Sequence, residues 1–153
     1  GIKANYTYTH SKITTEKRTM QGSDVVVVEQ TRPLYGQAAH VANLSLLLKS
    51  SKYGWEGQIA GSYTGKRLSE VSNYFDDDIW EYMQLDASVE KSFKNGISIY
   101  AKASNLLDTP LLRFTHKGPY TDGITGFERK NGNLIERKEW HGQSFMLGIR
   151  YKL

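Results

Sequence analysis

The chain predicts an all-β fold, an antiparallel up-and-down meander of about six long strands that makes up a segment of a transmembrane β-barrel. Three observations predict it. Six segments alternate apolar and polar residues with a period of two. The connections between them alternate long and short without exception. The final segment sets Phe145, Leu147, Ile149, Tyr151 and Leu153 on one face, against Met146, Gly148, Arg150 and Lys152, and stops on its last apolar residue. That ending suits the closing strand of an outer-membrane barrel, with Phe145 to Leu153 turned to lipid.

The other five segments follow the same rule. Ile2, Ala4, Tyr6 and Tyr8 alternate with Lys3, Asn5, Thr7 and Thr9. Ala42, Leu44, Leu46 and Leu48 alternate with Val41, Asn43, Ser45 and Leu47. Trp55, Gly57, Ile59, Gly61 and Tyr63 share a face, as do Met83, Leu85, Ala87 and Val89, and then Ile97, Ile99, Ala101 and Ala103. This face carries no charge. The opposite face carries Lys3, Glu56, Asp86, Glu90, Lys102, Arg150 and Lys152. A soluble sandwich gives the same alternation, so the connections carry the further argument. Residues 10–40, 65–81 and 105–143 are long connections; 49–54 and 91–96 are short. Strands running up and down then put every tight turn at one end and every long loop at the other, as in membrane barrels. Trp55, Phe93 and Tyr151 fall near the short-turn end, and Tyr8, Tyr63 and Phe145 near the long-loop end, as two interfacial girdles would. Within the last loop, Asn131-Gly132 predicts a hairpin over 126–140, and the run Val25 to Val28 predicts an extension of a loop strand.

Composition fits this reading. The 153 residues include ten Tyr, three Trp and five Phe but only three Pro, which favours strands. A net charge of +4 is too small an excess to indicate nucleic acid. No run approaches the roughly 18 apolar residues of a membrane helix, whereas barrel strands are only half apolar. The chain opens on Gly1 inside a strand-like segment, which predicts a processed or excised piece. Six strands are also too few to close a membrane barrel, since these start at eight.

Residues 98–110 (SIYAKASNLLDTP) resemble the penultimate strand of TonB-dependent outer-membrane receptors, with Asn105-Leu106-Leu107-Asp108 in the place of an Asn-Leu-Phe-Asp-like motif. Arg32-Pro33-Leu34-Tyr35-Gly36, His40-Val41-Ala42-Asn43-Leu44, Tyr63-Thr64-Gly65-Lys66-Arg67 and Leu85-Asp86-Ala87-Ser88-Val89 are similar to that family's C-terminal barrel region. The terminal Leu153 departs from the Phe that usually ends such barrels. The resemblance implies that residues 1–153 are the C-terminal barrel segment of a larger receptor of about 22 strands, whose plug and earlier strands are absent. It implies the outer membrane of a Gram-negative bacterium and energised import of an iron chelate, vitamin or glycan. The implied partners are outer-membrane lipid, the barrel assembly machinery, the TonB complex (through absent N-terminal parts) and a surface lipoprotein. No cofactor is implied.

Candidate ligand contacts are the loop aromatics Tyr74, Phe75, Trp80, Tyr120 and Trp140, whose faces stack on sugars and chelates. The plainer reading is that they pack loops together. Asp76-Asp77-Asp78 is the sharpest polar cluster, in a loop holding five acids and two bases. Asp76 and Asp78 are the weak alternative as ligands for a hard cation; a solvated acidic loop is the preferred reading. His10, His40, His116 and His141 lack ligand spacing, so no metal is expected. Glu56, Asp86, Glu90, Lys102 and Arg150 are expected to pair with one another or with the plug. A hydrolase of barrel form requires a nucleophile held beside a base, and no Ser or Asp lies in such a motif. No enzyme is expected. The main alternative is a soluble lipocalin-like ligand-binding barrel with the apolar face inward.

Overall fold

The computed structural model describes residues 1–21, 23–72, 75–116 and 125–152. They form thirteen strands and no helix: β1 (Ile2–Tyr8), β2 (Ile13–Gln21), β3 (Asp24–Arg32), β4 (His40–Ser50), β5 (Trp55–Thr64), β6 (Arg67–Val71), β7 (Asp76–Ile79), β8 (Tyr82–Ser92), β9 (Ile97–Ser104), β10 (Leu111–Thr115), β11 (Arg129–Lys130), β12 (Asn133–Glu139) and β13 (Ser144–Tyr151).

The six alternating segments are β1, β4, β5, β8, β9 and β13. They lie side by side in that order as one antiparallel sheet, the long sheet. Its registers are in phase from edge to edge. One row runs Ile2, Leu46, Ile59, Ala87, Ala103 and Phe145. The neighbouring row on the other face begins Lys3, Ser45, Ala60 and Asp86. Because side chains alternate, a slip of one residue in any pairing would turn that strand's Leu, Ile or Phe to the charged face.

The long sheet is open. β1 and β13 are its two edges and do not pair with each other, so no closed barrel is seen among the described residues. Each edge therefore presents a row of unpaired backbone groups.

The long connections, expected as loops with one hairpin, contain strands of their own. β2 and β3 pair as a hairpin that includes the Val25 to Val28 run. β6, β7, β10, β12 and β11 form a five-stranded sheet, here the distal sheet. Its order β6-β7-β10-β12 repeats the order β5-β8-β9-β13 beneath it, so these four distal strands each continue a strand of the long sheet, and β11 pairs beyond β12. The expected hairpin is β11 with β12. Asn131 and Gly132 both have positive φ, 52° and 83°, as the two centres of a type I′ turn require.

Burial divides the two layers. Among the described residues the buried apolar side chains are Ala38, Leu68 and Phe114, all within the long connections. The long sheet leaves most of its large apolar side chains exposed, Leu48 to 76% and Leu147 to 77%. The total accessible surface is 10,889 Å². A compact 17.4 kDa protein exposes roughly 7,900 Å². The excess is that of a sheet with both faces uncovered.

The tight turns span 51–54 and 93–96. Gly96 has φ +81°, and a Cβ there would lie 2.6 Å from the Lys152 carbonyl oxygen. That carbonyl cannot retreat, because the Lys152 N–H donates to the Gly96 oxygen at 2.9 Å. Gly142 also has positive φ, 72°, but open space around it. Gly142→Ala is therefore expected to cost about 1 kcal/mol, the left-handed penalty alone. Gly96→Ala should cost clearly more, because steric overlap adds to that penalty. Urea unfolding followed by far-UV circular dichroism compares them, and equal losses would refute the close approach.

Candidate functional site

The Asn105-Leu106-Leu107-Asp108 stretch sits where β9 leaves the long sheet. Asn105 and Asp108 both have positive φ, 57° and 44°, which short polar side chains tolerate. The Asn105 N–H donates to Asp86 Oδ1 at 2.9 Å, and its Nδ2 donates to the Gly142 carbonyl at 2.7 Å. The Leu106 N–H donates to Leu85 O at 2.8 Å, and Gln143 Nε2 donates to Leu106 O at 2.8 Å. One four-residue turn thus ties β8, β9 and the entry to β13 at the level where the distal sheet begins.

The three consecutive aspartates are not a solvated loop. They form β7, the centre of the distal sheet, and all three are buried, Asp77 to 2% exposure. The reason is pairing on both faces. Asp76 accepts from Lys17 Nζ at 2.8 Å and Gln30 Nε2 at 2.7 Å. Asp78 pairs with Lys66 Nζ at 2.8 Å and with His116. On the opposite face, Asp77 accepts from the Thr115 hydroxyl at 2.8 Å and Arg113 Nη2 at 3.0 Å. Arg113 also meets Glu70, and its Nε lies 2.9 Å from Glu136. The hydrogen bond to Asp77 is the largest influence holding the Arg113 guanidinium above its ordinary pKa. Buried carboxylates persist only with such partners, and the sequence reading had no means of supplying partners from β2, β3 and β10. Asp76 has both oxygens engaged, by Lys17 and Gln30, and Asp78 Oδ2 meets Lys66 and His116; no group of three metal-binding side chains occurs among the described residues.

Apolar packing in this layer centres on Phe114, 2% exposed. Trp80 meets it edge-on at 5.2 Å, His116 stacks at 6.0 Å, and Lys66 Nζ lies 5.4 Å from its ring centre. Lys130 Nζ lies 4.2 Å over Trp80.

Between the β2–β3 hairpin and the distal sheet lies a cavity of about 470 Å³. Asp76 and Asp78 form part of its wall, with Lys12, Arg32, Lys66 and Arg67. Gln30 and Gln37 line it as well. Its volume falls within the range of small-molecule sites.

The candidate ligand residues are dispersed. Trp80 is a packing residue against Phe114, in keeping with the plainer reading. Phe75 and Trp140 are exposed, Trp140 with Lys138 Nζ 4.8 Å over its ring. None of the three lines the cavity. Tyr74, Tyr120 and Leu153 lie outside the described residues. The sequence reading missed Lys12, Gln30, Arg32 and Gln37 as site residues; they carry no local motif and meet only through the hairpin's fold. Phe145, Leu147, Ile149 and Tyr151 all lie exposed on the apolar face. No family model, curated protein or solved structure matches this chain.

Removing the Asp77 carboxylate takes the buried acceptor from Thr115 and one of three carboxylate partners from Arg113. Asp77→Ala is expected to weaken the distal sheet by about 1–3 kcal/mol, the range for a buried group losing its hydrogen-bond partner. Hydrogen exchange should speed up in β10 and β12 and stay slow in β9. Unchanged protection in β10 would contradict the role given to Asp77.

Proposed function

We propose that the chain forms part of the outer-membrane wall of a TonB-dependent active importer of a scarce ligand, such as an iron chelate, a vitamin or a glycan. The observation that carries this reading is the long sheet's apolar face, continuous from β1 to β13, uncharged except for Lys91 at the tight-turn rim, and largely exposed. A face of that extent requires a cover, and lipid is the cover that needs no further protein. Strand lengths agree: β4, β5 and β8 have 11, 10 and 11 residues, near the 9–11 of a tilted membrane strand.

The rims support the same placement. At the tight-turn end Lys91 Nζ lies 5.0 Å over Trp55 and 5.7 Å over Phe93. At the other end Tyr6 hydrogen-bonds His40 at 2.7 Å, and Tyr8 packs on the same imidazole. Aromatic rings with polar partners suit a membrane–water boundary. The face opposite carries the ion pairs Lys49–Glu56 at 2.9 Å and Arg150–Glu90 at 3.3 Å, as a wall turned to a polar lumen would. In this reading the distal sheet and hairpin are extracellular. The plug, the TonB contact, the assembly machinery and a surface lipoprotein belong to the larger receptor of which this would be the C-terminal segment.

One observation favours the soluble-barrel alternative. The apolar face holds a groove of about 790 Å³, floored by Gly57, Ala87 and Ala101 and bounded by Ile2 and Phe145 on the two edge strands. In a lipocalin-like protein such a groove would receive an apolar ligand.

Leu46 and Leu47 test which face meets lipid, because they are adjacent residues on opposite faces. In liposomes, Leu46→Lys should cost about 2–4 kcal/mol of folding stability, the expense of a cation at the bilayer midplane. Leu47→Lys should cost little. Recovery of the chain as a detergent-free monomer that ignores liposomes would sink the membrane reading.

A further inference from the structure

The cavity between the hairpin and the distal sheet has a charge and hydrogen-bond inventory that the protein leaves incomplete. Its two carboxylates are already answered: Asp76 by Lys17 and Gln30, Asp78 by Lys66 and His116. That leaves Lys12, Arg32 and Arg67 on the wall with no acidic partner among the described residues. Three uncompensated cations in one recess focus a positive potential there. Two are guanidiniums, whose planar fork matches an oxyanion. Arg32 turns Nη2 to the Thr15 hydroxyl at 3.3 Å, while its buried Nε has no partner.

Two acceptors are stranded beside them. The Gln30 amide is oriented by Asp76, which takes its Nε2, so Gln30 Oε1 is left buried without a donor. Gln37 Oε1 is in the same condition. Buried polar atoms without partners are uncommon, and three on the wall of one cavity mark a place where a ligand completes the network. A bare anion brings acceptors only and would leave both Gln oxygens unanswered. A neutral sugar brings hydroxyl donors but nothing for the cations.

We infer that this cavity binds a small polyhydroxylated acid, a sugar acid of the uronate type, with its carboxylate toward Arg32, Arg67 and Lys12 and its hydroxyls donating to Gln30 and Gln37. The inference rests on the import reading in one respect: it names the ligand class that the outer layer would capture.

The test is isothermal titration of the full chain in dodecyl maltoside with D-galacturonate and D-glucuronate, set against D-galactose and acetate. At least one sugar acid should bind ten-fold or more tightly than galactose and acetate, and its affinity should fall as salt rises from 50 to 500 mM. Arg32→Gln with Arg67→Gln should weaken binding at least ten-fold. Lys12→Gln, at an exposed position, should weaken it several-fold with an unchanged thermal unfolding midpoint. Galactose binding as well as the sugar acids, loss of neither affinity nor salt dependence in the variants, or no binding of either sugar acid would each overturn the site. Insertion into liposomes is scored on the same preparations. A sugar acid bound by a chain that stays out of membranes would sink the import reading and leave the site. A membrane-inserted chain that ignores both sugar acids would do the reverse.

Discussion

Everything in the long sheet depends on the six strands pairing in phase. The rows from Ile2 to Phe145 and from Lys3 to Asp86 hold only if each of the five pairings keeps the same parity. Tight turns at 51–54 and 93–96 fix two of those registers locally. The other three are fixed across long connections, where loop closure is entropically more costly. The Asn105 turn answers part of that cost by binding Leu85, Asp86, Gly142 and Gln143 at one level.

The two layers are stabilised by different physics. The long sheet has backbone pairing and an apolar face but no buried apolar core of its own, and the described residues do not cover that face. Among the described residues the internal core lies in the distal layer and its flanking connections, and that core is mainly polar. Phe114 and Leu68 supply the apolar part, while Asp76, Asp77 and Asp78 are held by cations from β2, β10 and the connection between β5 and β6. Such pairs contribute less by net energy than by directionality, since a buried carboxylate without its partner is strongly unfavourable. The consequence is a distal layer whose geometry is specified by charge, standing on a sheet specified by period.

Period two in the sequence was sufficient for the long sheet. The six strands, their order, the face each side chain occupies and the Asn131-Gly132 hairpin all follow from alternation and turn chemistry, which act between near neighbours. The strands of the connections were not legible in the same way. β6, β7 and β10 are only five, four and five residues long, too short for a periodic signal.

The aspartate run marks the boundary between the two kinds of information. Three adjacent acids read as a loop because nothing near them in the chain offers compensation. Lys17, Arg113 and Thr115 lie 59, 36 and 38 positions away and reach them only when β2 and β10 close on β7. The cavity has the same origin, since its cations come from four separate connections or strands. Local periodicity therefore determined the sheet and its amphipathic faces. Long-range closure decided which charges are buried, which are paired and which are left facing the cavity.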